Sequence, residues 1–109
     1  DEYREWGHDK CAKMILDRLG DNPIYVTFDL DCLDATVAPG TANLEPAFRG
    51  FNIDEARKLI QCLKGKNVIG GDVACLMPTK DSPNQITSMV AASIMFEIIC
   101  LISTNLNKK

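Results

Sequence analysis

Two runs of β-forming residues with a single helix-like segment between them constrain the fold of this chain more than any other feature. "PIYVTF", residues 23–28, and "NVIGGDV", residues 67–73, are both nearly continuous in apolar character. Such continuity suits the strands of a parallel sheet covered on both faces. Between them, Asn52 with Glu55 three residues later forms a capping-box pattern, and Ile53, Ala56, Leu59, Ile60 and Leu63 recur at helical spacing before Gly65. Adjacent parallel strands need a crossover of this kind. Trp6, Cys11, Met14, Ile15 and Leu19 predict one amphipathic helix over residues 2–19, ended by Gly20, and residues 84–102 predict another. The order is α-β-α-β-α, with no internal repeat and no linker. It predicts an α/β fold, helices lying on the faces of a parallel sheet.

Length and charge remove several classes of function. At 109 residues the chain is one domain at most. A net charge of −3, with lysines and arginines scattered among acids, gives no footprint for nucleic acid. The apolar stretch at residues 86–102 falls short of the ~20 residues that span a bilayer. It also carries Thr87, Ser88, Ser93 and Glu97, so a helix packed on the sheet is expected and a membrane partner is not. The five cysteines, Cys11, Cys32, Cys62, Cys75 and Cys100, form no CxxC pair. They predict reduced thiols, in the cytoplasm or the mitochondrial matrix, rather than a disulfide framework or a zinc site.

The first strand runs into acids. In "YVTFDLDCLDATVAPGT", residues 25–41, Asp29 and Asp31 lie two apart and can share a side, with Asp34 beyond them. Residues 30–50 show little periodicity and read as a long functional loop. Open parallel sheets bind ligands beyond the carboxyl ends of their strands, and Asp72, near the end of the second strand, can face the same crevice. Paired carboxylates attract a hard divalent cation such as Mn²⁺ or Mg²⁺. Equally, Asp after a strand often caps a turn and meets solvent. Spacing alone leaves both readings open.

Two families carry a similar Asp-x-Asp at a strand end. "FDLD" with the later "GGD" resembles the haloacid-dehalogenase-like phosphatases, whose first Asp is a nucleophile. That family follows its second Asp with Gly-Thr, whereas Cys32 and Leu33 stand here, and the interval from Asp31 to Asp72 is short for its inserted elements. "PIYVTFDLDCLDATVAPGT" is more closely similar to the signature of the ureohydrolase superfamily, the arginases and agmatinases. The similarity continues through "GFNIDEARKLIQCLKGKNVIGGDVACLMP" and "DSPNQITSMVAASIMFEIIC", and is closest to agmatinase. The resemblance implies a three-layer α-β-α fold with a parallel sheet, of which this chain holds the last strands and helices. It implies two Mn²⁺ ions, with Asp29 bridging them and Asp31 binding one. The implied reaction is hydrolysis of a guanidino compound: water attacks the guanidinium carbon and urea leaves, with putrescine as the amine product from agmatine. No organic cofactor is implied.

The chain departs from that pattern in three places. The His-Gly-Asp and Asp-Ala-His-x-Asp segments that complete the family's metal site are absent, and the single histidine, His8, lies in neither. His8 is expected to be an exposed terminal residue. Residues 1–109 are therefore expected to be the carboxy-terminal part of one ureohydrolase domain whose metal-binding amino-terminal half lies elsewhere. Cys75 stands where the resemblance places the glutamate that binds the substrate guanidinium. In the loop, Ala35 replaces a proline, Asn43 and Leu44 replace Thr-Pro, and two residues are inserted before Gly50. No catalytic residue is assigned with certainty. The expected partners are a small guanidino substrate and either further copies of the chain or the missing half. A non-catalytic relative, serving oligomer assembly or regulation, is the alternative.

Overall fold

The computed structural model describes residues 2–41 and 50–108. Helices α1 (Glu2–Trp6) and α2 (His8–Leu19) lead into strand β1 (Ile24–Asp29). A 3-10 turn, Leu30–Cys32, follows, then α3 (Ile53–Gln61), β2 (Val68–Ala74), a second 3-10 turn at Pro78–Lys80, and α4 (Ile86–Asn107). The first helix is thus two. Gly7 takes a φ of 82°, a left-handed conformation open to glycine, and breaks the run predicted to be continuous.

β1 and β2 pair in parallel through the α3 crossover. Their register sets Thr27 against Asp72 and Asp29 against Ala74, so both strands end together at the acidic loop. Alternation divides the sheet. Val26 and Phe28 turn toward the helices and join a core of Ile24, Leu30, Val68, Ile94 and Ile98. Tyr25, Thr27 and Asp29 face the other way, and Tyr25 is 60% exposed. The strand read as covered on both faces is therefore covered on one among the described residues. Apolar continuity cannot say which part of a protein covers the second face.

The predicted capping box on α3 is present. The Glu55 amide donates to Asn52 Oδ1 at 2.8 Å and the Asn52 amide donates to Glu55 Oε1 at 3.0 Å. Arg4 adds a tie from α1, donating to the Gly50 carbonyl at 2.9 Å. Asn52→Ala is expected to cost about 1 kcal/mol, read as a lower urea midpoint at unchanged slope.

α4 is long and apolar enough to cross a membrane by length and composition, yet it packs along β2. Val90, Ile94, Ile98 and Leu101, at helical spacing, form its buried stripe. Gly71 lets it approach the sheet: a Cβ there would lie 2.6 Å from Ile98 Cγ2. Near its end Asn105 Nδ2 donates to the Val68 carbonyl at 3.0 Å, tethering α4 to the start of β2.

Candidate metal centre

β1 delivers Asp29 to the edge of the sheet, and a local hydrogen bond shapes the turn beyond it. The Asp29 carboxylate accepts from the Asp31 amide at 2.8 Å and caps the 3-10 turn. Leu30 and Leu33, 0% and 1% exposed, anchor the same turn in the core. Apolar side chains drawn inward and acids left outward is the outcome burial energetics favour. The capping reading and the ligand reading of these acids are therefore compatible: Asp29 caps the turn with one oxygen while the residue stays exposed at the strand end.

The third acid has a different part. Asp34 is buried, and its Oδ1 accepts from the Thr36 amide at 2.9 Å and the Thr36 hydroxyl at 2.7 Å. Its own amide donates to the Phe51 carbonyl at 2.8 Å, while the Phe51 amide donates to the Cys32 carbonyl at 2.9 Å. Asp34 organises the loop and ties it to the entry of α3.

The second strand brings Cys75. Strict alternation would turn Cys75 away from the face that Asp29 occupies, but its φ of 73° ends the strand geometry there. One carboxylate oxygen each of Asp29 and Asp31 and the Cys75 sulfur lie within 4.8 Å of one another. A hydrogen bond to the Asp29 carboxylate, then burial, then the charges of Asp29 and Asp31 hold the Cys75 thiol above its usual pKa. The carboxylate oxygens suit a hard divalent cation such as Mn²⁺, and the sulfur, as thiolate, suits a softer ion.

Asp72 shares the sheet face but is not part of this group. Tyr25 Oη donates to it at 3.0 Å and Thr27 Oγ1 at 2.6 Å, two residue pairs short of the strand ends. His8 is also elsewhere. It starts α2, half-buried rather than exposed, with Tyr3 Oη 3.4 Å from Nδ1 and the two rings edge to face. The departures at Asn43 and Leu44 and the insertion before Gly50 lie outside the described residues.

Asp81 is a structural residue that sequence reasoning missed. Its carboxylate accepts from the amides of Ser82 at 2.8 Å, Thr87 at 3.0 Å and Ser88 at 3.0 Å, the last two opening α4. Gly40 passes directly beneath it: a Cβ on Gly40 would lie 2.8 Å from Asp81 Cβ. The Gly40 amide donates to Thr87 Oγ1 at 2.8 Å, and the Met77 amide donates to the Gly40 carbonyl at 2.8 Å. This knot fixes the "APGT" stretch against the segment just after Cys75. A signal was available in the Asp-Ser-Pro-Asn sequence ahead of an apolar helix, although Asp81 caps from four residues before the positional cap, Gln85.

Burial works to raise the Asp81 pKa, but the hydrogen bonds from Thr87, Ser88 and Ser82 outweigh it and hold the carboxyl well below the usual range. A native pKa below the unfolded value means stability that is present above about pH 4 and is lost as pH falls from there. The stability difference between the protein and Asp81→Asn should therefore be full at pH 7 and shrink steadily below about pH 4. Urea midpoints at several pH values read it directly.

Parallel strands with a core-anchored turn that gathers carboxylates beyond their ends define an α/β protein with an acidic cluster at its strand ends. The chain belongs to the arginase family, whose profile matches residues 1–101. It is 39% identical over 98 residues to an agmatinase of Enterobacter sp. (strain 638), covering 90% of this chain and 31% of that protein. Among solved structures it resembles a hypothetical agmatinase from Burkholderia thailandensis, with TM-score 0.88, 32% identity and coverage of 98% of this chain and 33% of the other. It also resembles the proclavaminate amidino hydrolase of Streptomyces clavuligerus, with TM-score 0.89, 31% identity and coverage of 96% and 35%. The fold is thus a piece of the arginase-like α/β architecture. The chain spans about a third of the length of these relatives. Family membership sets the phosphatase resemblance aside.

Proposed function

We propose that this chain is the carboxy-terminal part of a manganese-dependent ureohydrolase acting on a guanidino compound, with agmatine, cleaved to putrescine and urea, as the first candidate. The observation that carries the reading is the convergence of Asp29 and Asp31 at the end of β1, on a turn whose apolar residues are buried. Asp29 and Asp31 would hold the family's Mn²⁺ pair together with ligands from outside this chain. The bound metals would supply positive charge and an activated water.

The chain's own residues position the site. The Asp29 carboxylate holds the Asp31 amide, which keeps the two acids together beyond the end of β1. The knot of Gly40, Asp81 and Thr87 holds the neighbouring loop against the segment carrying Cys75. Cys75, at the position of the guanidinium-binding glutamate by resemblance, offers one weak donor where a carboxylate would accept two charge-assisted bonds. Guanidinium recognition at that point would then rest on neighbouring acids.

The remaining part of the domain, or a second copy, is the partner that would cover the exposed face of β1. The five free cysteines fit a reducing compartment, cytoplasm or mitochondrial matrix. The test is urea release by the complete protein with Mn²⁺, across agmatine, guanidinobutyrate and arginine. Agmatine should give the highest kcat/KM. Urea from none of the three would overturn the reading.

A further inference from the structure

We propose that the Cys75 sulfur is itself a ligand of the cation held by Asp29 and Asp31, so that this centre takes a borderline-soft divalent ion such as Co²⁺ or Zn²⁺ as well as Mn²⁺. The inference rests on the proposed metal site and adds the third donor.

Geometry is the first support. Metal–oxygen bonds of about 2.0–2.2 Å and metal–sulfur bonds of about 2.3 Å place the donors of one tetrahedral ion roughly 3.5 Å apart. That spacing lies inside the 4.8 Å that bounds the three donor atoms here. Among the described residues, no other group of three or more such side chains converges in this way. The backbone supplies the second support. β2 ends at Ala74, opposite Asp29, and the left-handed Cys75 directly after it brings the sulfur onto the carboxylate side.

Donor chemistry then sets the preference. Carboxylates alone favour a hard ion with many oxygen ligands, whereas one thiolate shifts a site toward Co²⁺ and Zn²⁺. On binding, the thiol proton passes to solvent and the sulfur lone pair forms the bond to the metal, with no change of oxidation state. The other cysteines are placed differently: Cys11 is half-buried on α2, Cys32 and Cys62 pack against the apolar core, and Cys100 is exposed on α4.

Cobalt chloride added to the complete protein tests the assignment, because thiolate–Co²⁺ coordination absorbs strongly in the near ultraviolet and carboxylate coordination does not. The protein should show the band, Cys100→Ser should keep it, and Cys75→Ser should lose it while calorimetry still detects bound Co²⁺. The Co²⁺ affinity of Cys75→Ser should fall on the order of 10-fold or more, with a smaller change for Mn²⁺. Bound Co²⁺ without a band in the unmodified protein, or a band unchanged in Cys75→Ser, overturns sulfur ligation and leaves the carboxylate site standing. Binding of neither Co²⁺ nor Mn²⁺ overturns both.

Discussion

Asp29→Asn in the complete protein should lower kcat/KM for urea release by at least about 10³-fold while leaving the fold in place. The amide oxygen of Asn can still accept from the Asp31 backbone amide, so the capped 3-10 turn is retained. The loss is a full negative charge at the strand end and a strong anionic oxygen ligand. Even outer-shell partners of a metal typically cost 10–100-fold in affinity or activity, and a direct ligand should exceed them. Unfolding midpoints measured beside the kinetics separate the two effects. A midpoint close to that of the unmodified protein with activity gone is the expected pair of results.

Gly50→Ala should be the most destabilising small substitution in the loop. Its new Cβ would lie 2.4 Å from the Asp34 nitrogen and 2.6 Å from the Asp34 Cα and the Leu33 carbonyl carbon. All three are backbone atoms, so no side chain can swing aside and the chain itself must move. Overpacking of this kind costs about 1–3 kcal/mol and sometimes more. The displaced residues belong to the turn that carries Asp31, and Leu33 and Phe51 form a parallel bridge there. The substitution should therefore weaken Mn²⁺ binding as well as stability. Urea unfolding and calorimetry on the same variant should move together.

Much of the fold was legible because local signals agreed. The β-rich runs at residues 23–28 and 67–73, with the Asn52 and Glu55 box between them, lead directly to a parallel pair joined by α3. The acids at Asp29 and Asp31 were legible as a pair at a strand end, although β1 stops at Asp29 and it is the Asp29-capped 3-10 turn, not the strand period, that keeps Asp31 beside it. Other features depend on partners distant in sequence. The helix break needed the positive φ of Gly7, which periodicity does not report. Asp34, the third acid of the run, is buried and bound to Thr36 and, through its amide, to Phe51, a partner that spacing does not report. Asp81 became important only when Gly40 and the start of α4 met over it. The left-handed backbone at Cys75, which accompanies the approach of its sulfur to Asp29 and Asp31, leaves no mark in the hydrophobic pattern. Tyr25 read as buried because apolar content marks a surface to be covered, whether or not the cover lies in the same stretch of chain.

Calorimetric titration of Mn²⁺ into the complete protein, with Asp29→Ala and Asp31→Ala titrated alongside, tests the central claim most directly. The account predicts saturable binding that weakens more than about 100-fold in each variant. Binding that is indifferent to both substitutions, or no binding by the unmodified protein, would contradict the claim that β1 ends in metal ligands.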